Sequence, residues 1–307
     1  MKKTIPKHIL TSQQLDLDTI SKIFKRATQH KHNIESRKIV QKTLSGKYLI
    51  SLFYEPSTRT RFSFELAAKR LGMEVVETES ASHFSSAAKG ETLEDSIKVL
   101  NQYYPDVIIL RHKETGSAEI ASSVSEVPII NAGDGSGQHP TQALLDLFTI
   151  QNKIGRTDNL SVVAGGDLKN GRTIRSLAYL LSKFENNTFT FVSPVGQKMG
   201  KDILKYLSEK NIKYEETDQI NGFLNTADVV YWTRTQKERG SEGDNEIVLD
   251  KEQVKKMKTG AILMHPLPRI DEITVEVDEF KQAVYFEQAG NGLYVRMALL
   301  EYCLGVL

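Results

Sequence analysis

The chain has 307 residues, 39% hydrophobic and 26% charged, which is the composition of a globular protein with room for two domains. Its 40 Lys and Arg against 39 Asp and Glu leave no bulk charge to draw nucleic acid or an anionic membrane, and no apolar run approaches the roughly 20 residues of a membrane span. The start, MKKTIPKHILTSQQLD, lacks the apolar core of a secretory signal and the Arg/Ser-rich character of a transit peptide, and the lone Cys303 excludes an internal disulfide and a cysteine-rich metal site, so the cytoplasm is the expected location.

Residues 13–30 read as an amphipathic helix with Leu15, Ile20, Ile23 and Phe24 on its apolar side. Lys47–Phe53 (KYLISLF) reads as a buried strand. Pro56 and Ser57 break it and open a helix in which Ser57 is the N-cap, Phe62, Leu66 and Ala67 fall at helical spacing, and Gly72 is the terminating glycine. The first turn carries Thr58, Arg59, Thr60 and Arg61. A helix N-terminus offers unpaired N–H groups and the positive end of a dipole, and two hydroxyls and a guanidinium fork add donors suited to phosphate. Taken alone, the stretch reads equally well as a helix cap followed by two solvated arginines. It is no P-loop, because G-x-x-x-x-G-K-[ST] is missing.

Met73–Val76 is a second strand. Residues 80–90 (SASHFSSAAKG) are small and polar, a mobile loop or a plain surface connection, with Ser85 and Lys89 of the right type to reach an anion. A helix over Glu91–Tyr104 follows, then a strand over Asp106–Leu110 ending at Arg111-His112, and a short strand over Val127–Ile130. Residues 131–139 (NAGDGSGQH) form a glycine-rich turn into a helix that begins at Pro140 and shows Leu144, Leu147 and Phe148 on its apolar side. His139 and Gln142 lie three apart and share a face. A histidine at a helix start is often structural, but here it follows glycines at the end of a strand.

The second half repeats the alternation. Strands fall at Leu160–Ala164, Thr188–Val192, Asp228–Trp232, Ala261–Met264 and Ala283–Phe286, with helices over residues 172–184, 201–210 and 291–304. The segment GGDLKNG before Arg172 lacks G-x-G-x-x-G and is a weak dinucleotide signal. Residues 237–249 (KERGSEGDNEIVL) are a charged loop. The pattern implies an α/β chain of two open, mainly parallel, Rossmann-like sheets with helices on both faces, where ligands bind beyond the C-terminal ends of the strands. Ser57–Arg61, Arg111, His139 with Gln142, Arg172, Arg234 with Gln236, and Pro266–Pro268 all follow predicted strands, which a random scatter of arginines would not do.

The motifs S-T-R-T-R, H-P-T-Q and H-P-L-P, in this order, resemble the carbamoyltransferases, and within them the catalytic chains of the aspartate-specific branch; the similarity runs from about the first helix to NGLYVRMALL. The resemblance implies a carbamoyl phosphate-binding domain of residues 1–143 with 291–307 and an aspartate-binding domain of residues 144–290. It implies that Ser57, Thr58, Arg59 and Thr60 hold the phosphate, and that Arg111 bridges phosphate and carbonyl oxygen. His139 and Thr60 face that oxygen, while Gln142 and the main chain at Pro266 and Leu267 fix the carbamoyl NH2. Arg172 takes the α-carboxylate of aspartate and Arg234 with Gln236 the β-carboxylate, with Leu267 and Lys89 also at aspartate. Ser85 and Lys89 come from a neighbouring subunit of a homotrimer, and a cis peptide precedes Pro268. No cofactor or metal is implied. The activity implied is an early step of pyrimidine synthesis, and separate regulatory chains are a partner the sequence leaves open.

The chemistry agrees with these residue types. An amine attacks a carbamoyl carbon, charge grows on oxygen and phosphate leaves, so cations and donors matter more than a nucleophile. The ornithine-specific branch carries H-C-L-P and D-x-x-x-S-M-G. Here Pro266 stands at the cysteine position, no S-M-G occurs, and Arg234 and Gln236 suit a second carboxylate. Two places depart from the family pattern: some relatives have a further lysine near Ala88, and A-G-G-D stands where a bulkier apolar residue often precedes G-D. A catalytically silent assembly partner is disfavoured by the presence of Arg59, Arg111 and His139, and a different acidic acceptor remains the nearer alternative.

Overall fold

Short apolar runs flanked by Gly, Pro and polar clusters become strands, and the 3.6-residue stripes between them become helices, in a computed structural model that describes residues 7–78, 81, 90–235 and 247–307. The chain divides into two units, one of Met1–Thr141 with Asn291–Leu307 and one of Gln142–Gly290.

The first unit contains α1 (Leu17–Glu35), β1 (Tyr48–Phe53), α2 (Thr58–Arg70), β2 (Glu74–Thr78), α3 (Leu93–Asn101), β3 (Val107–His112), α4 (Ser117–Val124) and β4 (Ile129–Asp134). Its four-stranded sheet has the order β2-β1-β3-β4, all pairs parallel. β1 and β3 are the central strands and are buried almost throughout, as a parallel sheet covered by helices requires. Chain progression reverses between β1 and β3, where Phe53 pairs with Arg111. This is the topological switch point, the place where an open α/β sheet leaves a crevice for ligand.

α5 (Pro140–Ile154) leads into the second unit's β5 (Ser161–Gly165), α6 (Arg172–Leu181), β6 (Thr188–Val192), α7 (Lys201–Glu209), β7 (Lys213–Thr217), β8 (Val229–Trp232), α8 (Lys251–Val254) and β9 (Ile262–Met264). A 3-10 turn (Val275–Glu279) and α9 (Tyr285–Cys303) complete the chain. The five strands are ordered β7-β6-β5-β8-β9, again all parallel, and the switch point lies between β5 and β8, where Gly165 pairs with Trp232. Val163, Val192, Val230, Leu263 and Tyr285 are part of its core.

The structure differs from the sequence expectation in identifiable places. On α2, Phe62 and Leu66 are 48% and 53% exposed. The buried stripe is Phe64, Ala67, Ala68 and Leu71, which has the same helical spacing on another side and small residues that let the helix lie close to the sheet. Residues 283–286 form no strand: Ala283 makes a single bridge to Leu263, and α9 begins at Tyr285. β4 runs to Asp134, into the glycine-rich stretch. α4 and the edge strand β7 were not expected. The sequence of β7 is KYEET and four of its five residues are exposed, so no apolar alternation marks it. Among the described residues, no helix is long and apolar enough to cross a membrane.

Candidate active site

In the first unit, the loop after β1 delivers Ser57 as the N-cap of α2, as its sequence suggests, although no hydrogen bond from its side chain caps the helix. The two arginines of the first turn differ. Arg61 is mostly buried, 3.4 Å from Glu77 and 3.7 Å from Glu65, with its guanidinium over the Phe62 ring. Arg59 is exposed at the helix start. Burial and the neighbouring Glu77 push the Glu65 carboxyl up to about 7, with Arg61 acting in the opposite sense. Thr60 is buried, and its hydroxyl lies 3.5 Å from Nε2 of His139.

His139 is buried between two hydroxyls, with Thr141 Oγ1 3.3 Å from its Nδ1. A hydroxyl donates or accepts, so both imidazole tautomers are satisfied there. The preceding turn is fixed by Asp134, whose carboxylate accepts from the N–H of Gly116 at 3.0 Å and of Gln138 at 2.7 Å. Gly135 has φ +49°, and a Cβ there would meet the Lys113 carbonyl at 2.6 Å, so glycine is required. Arg111 leaves β3 at the switch point. It donates to the Ala132 carbonyl at 3.1 Å and lies 3.5 Å from the Glu55 carboxylate. Its neighbour His112 packs edge-on against Tyr54, and desolvation holds its pKa below the usual value.

In the second unit, Arg172 follows β5 and Arg234 follows β8, the two strands of the second switch point. Arg172 is buried in the first turn of α6, with its carbonyl accepting from Ser176. Arg234 is half-buried and donates to the Thr235 carbonyl at 3.3 Å. The A-G-G-D turn has a specific cause. The Trp232 ring lies across Gly165, where a Cβ would come within 2.1 Å of it, and Gly166, at φ +94°, sits against the Thr233 carbonyl. No bulkier residue fits.

Pro266 and Leu267 follow β9. The Leu267 N–H donates to His265 Nδ1 at 2.8 Å, Leu267 has φ +56°, and the Leu267–Pro268 peptide is cis, as the resemblance implies. Nδ1 is thus an acceptor, so Nε2 carries the proton and faces the Glu272 carboxylate at 2.8 Å. Burial raises the Glu272 pKa, but the His265 contact and backbone N–H groups outweigh it and hold the carboxyl below its usual value. Gln142 donates to Asp146, which also accepts from Tyr231 and Gln288. Asp146, Tyr231, Gln288 and Glu272 were not singled out from sequence. The available signal was an acid in the apolar run LLDLF, a group that is buried only when paired. Ser85, Lys89 and Gln236 lie outside the described residues.

Family comparison gives the same outline. Residues 7–152 match the profile described as "Aspartate/ornithine carbamoyltransferase, carbamoyl-P binding domain", and residues 158–303 match "Aspartate/ornithine carbamoyltransferase, Asp/Orn binding domain". The aspartate carbamoyltransferase catalytic subunit of Methanocaldococcus jannaschii is 46% identical over 299 residues, 96% of this chain and 97% of the relative. A chloroplastic aspartate carbamoyltransferase of Pisum sativum is 48% identical over 303 residues, 96% of this chain and 78% of the relative. Among solved structures, the M. jannaschii catalytic subunit superposes with a TM-score of 0.89 at 45% identity, covering 98% of each chain. The Trypanosoma cruzi aspartate transcarbamoylase solved with carbamoyl phosphate and aspartate gives 0.90 at 36% identity, covering 96% of each chain. With both halves matched in order along one chain, the chain belongs to the aspartate/ornithine carbamoyltransferase family.

Proposed function

We propose that this protein transfers the carbamoyl group of carbamoyl phosphate to the α-amine of L-aspartate, giving N-carbamoyl-L-aspartate and phosphate. The observation that carries the reading is the close approach of His139 to Thr60 at the start of α2: a helix N-terminus, two threonines, Arg59 and a buried imidazole on the strand-end side of the first switch point. Ser57, Thr58, Arg59 and Thr60 hold the phosphate through hydroxyls, main-chain N–H groups and the guanidinium. Arg111 lies across phosphate and carbonyl oxygen, its charge balanced by Glu55. His139 and Thr60 donate to the oxygen on which charge grows. Gln142 Oε1 and the carbonyls of Pro266 and Leu267 accept from the carbamoyl NH2. Arg172 pairs with the α-carboxylate and Arg234, with Gln236, with the β-carboxylate, and Leu267 and Lys89 also serve aspartate.

The neutral α-amine attacks the carbamoyl carbon, the C–O bond to phosphate breaks, and the leaving phosphate takes the proton the amine gives up. Most of the rate comes from holding two bound substrates in line and stabilising the oxyanion. The relatives titled for aspartate favour this acceptor over ornithine, as do two switch-point arginines in a unit that lacks the S-M-G motif. The protein works in the cytoplasm as a homotrimer in which Ser85 and Lys89 enter the neighbouring subunit's site; the catalytic-subunit names of its relatives suit a chain that also meets regulatory partners. The test is an assay of purified protein with carbamoyl phosphate and either aspartate or ornithine, with and without chelator. Carbamoyl-aspartate formation unaffected by chelator is expected; equal turnover of ornithine, or loss of activity with chelator, overturns the reading.

A further inference from the structure

Asp146 lies in the second turn of α5, 0% exposed, in the apolar run Leu144-Leu145-Asp146-Leu147-Phe148. Its Oδ2 accepts from the Tyr231 hydroxyl at 2.8 Å, and its Oδ1 accepts from Gln142 Nε2 at 2.9 Å and from Gln288 Nε2 at 2.7 Å. Gln288 Oε1 in turn accepts from the His265 N–H at 2.9 Å, and His265 Nδ1 accepts from the Leu267 N–H. Two arms therefore leave one carboxylate, one to the Gln142 side chain and the other through Gln288 and His265 to the main chain of the Pro266-Leu267 turn. Both arms stay within the second unit.

An ionised carboxylate only accepts. An amide beside it must turn its NH2 inward, which leaves its carbonyl oxygen pointing away. The same holds at both ends of the chain of bonds. Gln142 faces outward with Oε1, and Leu267, its N–H bound inward to His265, is held at φ +56° with its carbonyl free to turn elsewhere. A carbamoyl NH2 brings two N–H donors and no acceptor. We infer that Asp146 is the positioning residue for carbamoyl recognition: its charge fixes the amide of Gln142 and, through Gln288 and His265, the Leu267 turn, so that acceptors alone meet the carbamoyl NH2. This rests on the proposed roles of Gln142, Pro266 and Leu267. It makes Asp146 a determinant of selectivity against isosteres that lack the NH2, since a site of fixed acceptors is left unpaired by a methyl group.

The experiment compares carbamoyl phosphate with acetyl phosphate, in which methyl replaces NH2, on the intact enzyme. Asp146→Leu keeps the shape but removes both oxygens, so the amides of Gln142 and Gln288 lose the acceptor that turns their NH2 groups inward. The expected result is a drop of at least tenfold in the ratio of acetyl phosphate KI to carbamoyl phosphate KM, with inorganic phosphate affinity changed by less than threefold. A second substitution, Gln142→Glu in the Asp146→Leu background, restores an outward acceptor, and recovery of at least threefold in that ratio is expected; a merely structural defect would not be corrected this way. Unchanged selectivity in folded Asp146→Leu, or no recovery in the double variant, overturns the inference. Should Asp146→Leu fail to fold, Gln288→Met, which cuts the arm to His265 while keeping the carboxylate, is expected to lower the ratio about threefold, and no change overturns it. Turnover of carbamoyl phosphate with aspartate by the parent protein separates failure of this inference from failure of the proposed activity.

Discussion

Glu301, on α9, is a sensitive point of the first unit. Its side chain is 0% exposed, and its two oxygens accept from Arg26 Nε and Nη2 at 2.7 Å each, from His30 Nε2 at 2.8 Å and from Thr43 at 2.6 Å. Burial alone would raise the carboxyl, but the hydrogen bonds from Arg26, His30 and Thr43 outweigh it and push the pKa down from 4.5 to about 2. At about 1.4 kcal/mol per tenfold change in proton affinity, this corresponds to about 3 kcal/mol of stability at neutral pH. The folded-state pKa is depressed, so the contribution is present above pH 4.5 and is lost as pH falls toward 2. Glu301→Gln should therefore lower unfolding free energy at pH 7 by about 3 kcal/mol, measured by urea denaturation followed by far-UV circular dichroism. Between pH 6 and pH 4 the gap between parent and variant should narrow by about 1 kcal/mol, because the parent loses what the variant never had. A gap below about 1 kcal/mol at pH 7, or one that widens on acidification, refutes the reasoning.

Arg234→Ala should raise the aspartate KM through loss of a charge-assisted pair, on the order of 2–5 kcal/mol when desolvated, while carbamoyl phosphate binding by calorimetry stays nearly constant; the reverse pattern would mean that the two substrates are assigned to the wrong units. Subunit sharing is tested by complementation. Lys89→Ala and Arg59→Ala enzymes should each be nearly inactive, yet regain a sizeable fraction of activity when mixed, dissociated and reassembled, because some hybrid sites then pair an intact Lys89 with an intact Arg59. Hybrid trimers that form without recovering activity would show that each site is contained in one chain.

The alternation of strands and helices was legible in sequence because each buried strand of a parallel sheet is a short apolar run and each crossover helix carries its own stripe; Thr188–Val192 has the same bounds in the structure. The family was legible in S-T-R-T-R, H-P-T-Q and H-P-L-P, since these residues serve ligand chemistry and are placed by local devices: a helix start, a glycine turn, a strand end. Sequence could not choose the side of α2 that is buried, because Phe62–Leu66 and Phe64–Ala67–Ala68–Leu71 have equally helical spacing, and only packing against the sheet selects between them. Nor could it mark β7, whose exposed edge position removes the apolar alternation that identifies a strand. Gly165 stood out only as a departure from the family pattern, and the Trp232 ring that requires it is 67 residues away by number yet on the adjacent strand of the sheet. The same holds for Asp146. Its partners Tyr231 and Gln288 are 85 and 142 residues distant, and a carboxylate's partners across a fold depend on three-dimensional proximity, which local periodicity does not encode. Sequence alone thus determined the sheet alternation and the reactive groups; tertiary structure decided which amide end and which helix face those groups present, because both are set by contacts between segments far apart in the chain.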